Sequence, residues 1–194
     1  SNMWRITDDF WDSWPQLYEM FDRAREWCIH AGNGCWPDAD MLPIGPIKQD
    51  YDPSLSTEFT QDEQITMMSL WSIFRSPLII GGEMTKFDDF TMGLITNEEI
   101  LKMHRNARHS HPVWQREIDG TEHILWTAVS SEGGQYAVIF NTGEQSSSVR
   151  IPLQDLEIYH PVHSTELWSG QTSEIAETIN VSLKKHGAAV FYLN

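Results

Sequence analysis

A chain of 194 residues can bury a sizeable core in one or two domains. Its composition, 40% hydrophobic and 21% charged, is that of a globular protein. The 28 acidic against 13 basic residues give a formal charge of -15, which opposes binding to nucleic-acid phosphates or to anionic membranes.

No apolar run approaches the ~20 residues of a membrane span. Residues 10–30 read as a helix, with Trp11, Trp14, Leu17, Tyr18, Phe21, Ala24 and Cys28 recurring at spacings of three and four. Pro15 fits only near its start, and Gly32 and Gly34 end it. Cys28 and Cys35 make no disulfide framework; a bridge between them and two free thiols are both open. The Gly-, Pro-, Asp- and Ser-containing stretch from Gly45 to Phe59 predicts a surface loop. Thr60-Gln61-Asp62-Glu63 matches a capping box ahead of Ile65, Met68, Leu70, Trp71 and Phe74, so a helix is expected there. Ser76-Pro77 stops it. Leu78-Ile79-Ile80-Gly81-Gly82 reads as a short strand buried on both faces, as in parallel sheets. A short helix over 88–95 follows, and a second capping box, Thr96-Asn97-Glu98-Glu99, opens another to about Arg105. Helix, strand, helix in this order is α/β grammar.

Near Ser110-His111-Pro112 the pattern changes. Short β-branched or alternating runs follow at 124–129, 136–141, 148–151, 164–167, 178–183 and 188–193, with turn signals at Glu132-Gly133-Gly134 and Ser169-Gly170. Such spacing predicts an antiparallel β sandwich. The domains read as 1–110 and 111–194.

Two acidic clusters carry candidate chemistry. In Gly34-Cys35-Trp36-Pro37-Asp38-Ala39-Asp40-Met41, residues two apart on an extended path point the same way, so Asp38 and Asp40 are expected to share a face. The other cluster is Trp4-Arg5-Ile6-Thr7-Asp8-Asp9. Arg5 offers a planar fork for hydroxyls or carboxylates. Most of the nine tryptophans are expected in the core, Trp11, Trp14, Trp71 and Trp126 among them; only Trp4 and Trp36 neighbour candidate polar groups. The spacing of His104, His109 and His111 fits no standard metal site.

Taken in order, Trp4-Arg5 with Asp8-Asp9, Asp12-Ser13-Trp14, Gly34-Cys35-Trp36 with Asp38-Ala39-Asp40-Met41-Leu42, Ser76-Pro77-Leu78 and Thr96-Asn97-Glu98-Glu99 resemble glycoside hydrolase family 27, the α-galactosidases and relatives. The likeness is close over 4–105 and looser through Leu167-Trp168-Ser169-Gly170 and His186-Gly187. It implies the last three or so β/α units of a TIM (β/α)8 barrel followed by a C-terminal antiparallel β-sandwich. It also implies cleavage of terminal α-linked galactose with retention, without cofactor or metal, in a family whose members are often periplasmic or secreted. The alternatives are the same fold acting on α-N-acetylgalactosamine or β-L-arabinopyranose, or a non-catalytic carbohydrate-binding or structural remnant of such an enzyme. By resemblance, Asp9 takes the general acid/base position and Arg5 and Asp40 bind sugar hydroxyls. Met41 or Trp36 lies near the sugar ring, Asp38 ties the loop together, and Asp8 supplies a neighbouring charge. The motif here is Trp-Pro-Asp-Ala-Asp where many relatives have Trp-Asn-Asp-Pro-Asp.

Retaining hydrolysis needs two carboxyls about 5–5.5 Å apart, and the family's nucleophile aspartate comes from an earlier barrel strand. A full barrel takes ~250 residues. The chain is therefore expected to be inactive alone, to pair with the missing N-terminal part of the barrel or with itself, and to act on carbohydrate.

Overall fold

The structure, a computed structural model, describes residues 2–32, 34–47 and 55–194. Part of the loop expected from 45 to 59 therefore lies outside the described residues. The first half repeats a strand-then-helix unit. Strand β1 (Met3–Arg5) precedes helix α1 (Trp14–Trp27) and a 3-10 turn at Cys28–His30; β2 (Trp36–Asp38) precedes α2 (Gln61–Phe74). β1 and β2 pair in parallel with Arg5 opposite Asp38, and a parallel bridge joins Leu42 to Ile80. Helices α3 (Asp89–Thr96) and α4 (Glu98–Asn106) complete this half. These are three consecutive units of a parallel β/α barrel.

Helix α1 starts later than the sequence periodicity suggests. The N–H groups of Phe10 and Trp11 are taken by side chains, Asp40 Oδ2 at 2.8 Å and Gln16 Oε1 at 2.7 Å. Pro15 then occupies the first turn, where its missing N–H costs nothing. The capping box of α2 forms as expected, with Glu63 N donating to Thr60 Oγ1 and Glu63 Oε2 accepting from Thr60 N. The second one does not. Thr96 closes α3, its hydroxyl donating to Met92 O, and Asn97 alone caps α4 by accepting from Glu99 N and Ile100 N. The expected strand over Leu78–Gly82 shrinks to the single bridge at Ile80, with Ile79 exposed rather than buried. The groups that would add rungs are already taken: Ile44 N donates to Leu42 O, Asp40 N to Asp38 Oδ1, and Asp40 O accepts from Trp71 Nε1.

The second half is antiparallel. Strands β3 (Ala107–Ile118), β4 (Thr121–Ser130), β5 (Gln135–Asn141), β6 (Ser147–Pro152), β7 (Val162–Glu166), β8 (Thr172–Ile175), β9 (Thr178–Leu183) and β10 (Ala188–Leu193) form two sheets. One is ordered β3-β4-β5-β10-β7-β8, and β6-β9 lies apart from it. The larger sheet is covered on both faces. Leu125, Ala137 and Ile139 pack with Val149, Ile151, Ile179 and Leu183 of the small sheet, while Ile124, Trp126, Val138, Phe140 and Val190 join the helices in the first core. That double burial explains why Ile124–Trp126 of β4 and Tyr136–Phe140 of β5 show no polar alternation.

At the junction, His186 sits in a left-handed turn (φ 57°) between β9 and β10. Its ring stacks on Trp14 at 3.5 Å and contacts Glu63 Oε1 through Nδ1 at 2.6 Å. Both cysteines are free, Cys28 buried and Cys35 exposed. Burial pushes the Cys28 thiol above its ordinary value. No helix among the described residues is long and apolar enough to cross a membrane.

Candidate active site

The C-terminal ends of β1 and β2 bring three of the singled-out side chains together. Arg5 Nη2 lies 3.2 Å from Asp9 Oδ1 and 3.0 Å from Asp40 Oδ2, so one guanidinium joins two carboxylates from different barrel strands. The parallel register sets this up by placing Arg5 beside Asp38, two residues before Asp40. In a barrel this end of the strands is where catalytic groups gather.

The loop after β2 is built around Asp40. Its φ of 76° is left-handed, a region that Asp tolerates better than most residues because its short side chain bonds locally. Asp38 is buried and its Oδ1 accepts from Asp40 N at 2.9 Å, while Ala39 N donates to Ser76 Oγ at 2.9 Å. The two aspartates therefore do not stand side by side on one extended face. The left-handed turn at Asp40 separates them, and Asp38 holds the loop's backbone. Asp40 Oδ2 accepts from Phe10 N, and Asp40 O accepts from Trp71 Nε1 at 3.0 Å. The loop is thereby bolted to α2 and to the segment that carries Asp9.

The Asp9 side chain is 82% exposed, open to whatever approaches the strand ends. Asp8 beside it is also exposed. Met41 lies against Gly81, where a Cβ would collide with its sulfur. Trp36 is not brought into this group. It pairs with Met3 at the opposite, N-terminal end of the strands, and the Arg75 guanidinium sits 4.4 Å over its ring. Trp11, expected in the core, instead stands exposed just ahead of α1. The histidines near β3 turn to backbone carbonyls, His104 Nε2 to Ser76 O at 2.8 Å and His111 Nδ1 to His109 O at 2.7 Å. Among the described residues no cluster of His, Cys, Asp or Glu is placed to hold a metal ion.

Parallel strand–helix units that gather carboxylates and an arginine at their strand ends, docked on an antiparallel sandwich, form the layout of a barrel enzyme with an accessory β domain. The chain belongs to glycoside hydrolase family 27: residues 1–106 match the alpha-galactosidase A family, and residues 120–193 match the alpha galactosidase C-terminal beta sandwich domain. Among solved structures, a family 27 β-L-arabinopyranosidase from Geobacillus stearothermophilus is 41% identical with a TM-score of 0.92, over 100% of this chain and 45% of that one. Alpha-galactosidase I of Mortierella vinacea shares the fold at 19% identity and a TM-score of 0.85, over 100% of this chain and 53% of that one. Among curated proteins, alpha-galactosidase 2 of Arabidopsis thaliana is 23% identical over 99% of this chain and 46% of its own length. The chain thus spans less than half the length of that relative.

Proposed function

We propose that this chain carries the acid/base side of a retaining glycoside hydrolase site that releases terminal α-linked galactose. The observation that carries this reading is the Arg5 guanidinium shared between Asp9 and Asp40 at the strand ends. Asp9 donates its proton to the departing glycosidic oxygen while a nucleophilic carboxylate bonds to the anomeric carbon and the carbon–oxygen bond breaks. Water then attacks that carbon, Asp9 takes the water's proton, and the carboxylate leaves. Arg5 and Asp40 bind sugar hydroxyls by charge-assisted hydrogen bonds, and Met41 offers an apolar contact to the ring. Asp38 holds the loop.

The nucleophile is an aspartate from polypeptide outside this chain, so this segment alone is inactive and works with the remaining barrel strands. A self-associated form of the segment would be equally inactive. The test is Asp9→Asn in the longer polypeptide, assayed on nitrophenyl α-galactoside and on a disaccharide. Loss of general acid catalysis should lower turnover by roughly 10²–10⁴-fold, less where the leaving group needs little protonation. Unchanged turnover would remove Asp9 from the mechanism.

A second reading has one specific support. Identity to the Geobacillus β-L-arabinopyranosidase is 41%, against 23% to the Arabidopsis alpha-galactosidase. β-L-Arabinopyranose matches α-D-galactose in its ring substituents but lacks the hydroxymethyl group, so the same Asp9, Arg5 and Asp40 would serve either sugar. Relative kcat/KM on the two nitrophenyl glycosides decides between them.

A further inference from the structure

We infer that Trp11 is the platform for the leaving group, and so a residue that sets which aglycone is cleaved. The inference rests on Asp9 being the acid of the site proposed above. Burial alternates along residues 9–12: Asp9 and Trp11 are exposed, Phe10 and Asp12 buried. Asp9 and Trp11 therefore leave the chain on its outer side, with Cα atoms no more than ~7 Å apart.

The segment between them is rigidly mounted. The Phe10 ring packs on Trp71 at 5.0 Å and its N–H binds Asp40 Oδ2. Asp12 Oδ2 accepts from Glu58 N at 2.7 Å. The Trp11 backbone is held on both sides, its N–H by Gln16 Oε1 at 2.7 Å and its carbonyl by Ser13 N at 2.8 Å. With its backbone fixed in this way, the indole is still 45% exposed, the one exposed side chain among the nine tryptophans.

An exposed indole on a fixed backbone beside the acid suits one position in the reaction. The acid must sit within hydrogen-bond reach of the glycosidic oxygen. The terminal sugar lies inward, on Arg5 and Asp40, and the leaving group extends outward past that oxygen. Trp11 points outward, opposite to Phe10. An aromatic face accepts the C–H face of a pyranose or an aryl ring, so the favoured substrates carry a cyclic leaving group.

The experiment uses the longer polypeptide with Trp11→Ala and Trp11→Phe. Each is assayed on a galactosyl disaccharide, which has a ring to stack, and on galactosyl fluoride, which has none. The ratio of kcat/KM for disaccharide over fluoride should fall about tenfold in Trp11→Ala and recover in large part in Trp11→Phe. An unchanged ratio, whether both activities fall together or neither moves, overturns the inference. Asp9→Asn is run alongside. If it leaves disaccharide turnover intact, the acid assignment fails, and a ratio change in Trp11→Ala then has no acid to be organised around.

Discussion

Replacing Asp40 tests how the site is built. Its carboxylate accepts the Phe10 N–H at 2.8 Å and pairs with Arg5 at 3.0 Å, and its backbone is left-handed at φ 76°. A hydrogen bond to a charged acceptor is worth roughly 1.5–3 kcal/mol, and an alanine held in the left-handed region costs about 1 kcal/mol or more. The Arg5 pair adds less than about 1 kcal/mol, because Arg5 is well exposed to solvent. Asp40→Ala should therefore cost about 3 kcal/mol, or a melting temperature lower by roughly 6–12 °C for a chain of this size. Asp40→Asn keeps an acceptor oxygen and the tolerance for that backbone angle. It should cost about 1 kcal/mol and roughly 2–4 °C. Thermal melts followed by circular dichroism read both. If Asp40→Ala melts with the native protein, or if the two variants melt together, the loop is not held in the way described.

Other variants probe the frame. Glu63→Ala and His186→Ala should each destabilise, and their double mutant should be non-additive by about 1–2 kcal/mol, because Glu63 Oε1 and His186 Nδ1 share one buried contact at 2.6 Å; additive urea midpoints would sink that link. Gly82→Ala drives a Cβ into the Ile44 carbonyl oxygen and should cost at least about 2 kcal/mol, while Gly93→Ala, with open space in α3, should gain about 0.5–1 kcal/mol. Opposite shifts in melting temperature are the expected readout. Burial holds the His104 imidazole below its ordinary value, Arg75 and Arg105 adding to this against the raising effect of the Ser76 carbonyl. A lowered histidine contributes stability that is fully present above the unfolded value of ~6.5 and lost as pH falls through the folded value. Urea midpoints should thus drop from pH 7 to pH 5.5, and His104→Gln should shrink that drop.

What could be read in the sequence was local. The capping box of α2 needs only Thr60 and Glu63, three residues apart, and it formed. β9 announces itself by its own alternation, and β10 by a continuous apolar run that suits its place inside the larger sheet. β3 did not, because Pro112 interrupts it and its pairing with β4 shifts between Arg108 and His111 and again between Pro112 and Trp114. Proline is tolerated there because β3 is an edge strand. β8 is largely exposed, so no apolar pattern marks it. In the site, Arg5 and Asp9 are four residues apart and their contact follows from the chain. The contact from Arg5 to Asp40 depends on a parallel register that no local pattern encodes. Trp36 misled for the same reason, being near Asp38 in sequence but at the other end of the strand. Trp11 was misread because its spacing to Trp14 and Tyr18 mimics a helix, while its N–H had already gone to Gln16.

The sandwich bears on the site through α2. Asp40 is fixed by its carbonyl to Trp71 on that helix, and Trp71 is fully buried. The same helix is held from the other side by second-half residues: Trp168 Nε1 donates to Ser69 Oγ at 3.0 Å, Thr66 Oγ1 donates to His186 O at 2.6 Å, and His186 meets Glu63. Trp126, Val138, Phe140 and Val190 close the core beneath it. A helix gripped along its length moves little, so the carbonyl-to-indole bond fixes the turn that aims the Asp40 carboxylate at Arg5. Groups that bind a reacting sugar must be held to within a fraction of an ångström by what lies behind them. In this chain that support comes from the antiparallel half, which gives the sandwich a positioning role although none of the clustered side chains belongs to it.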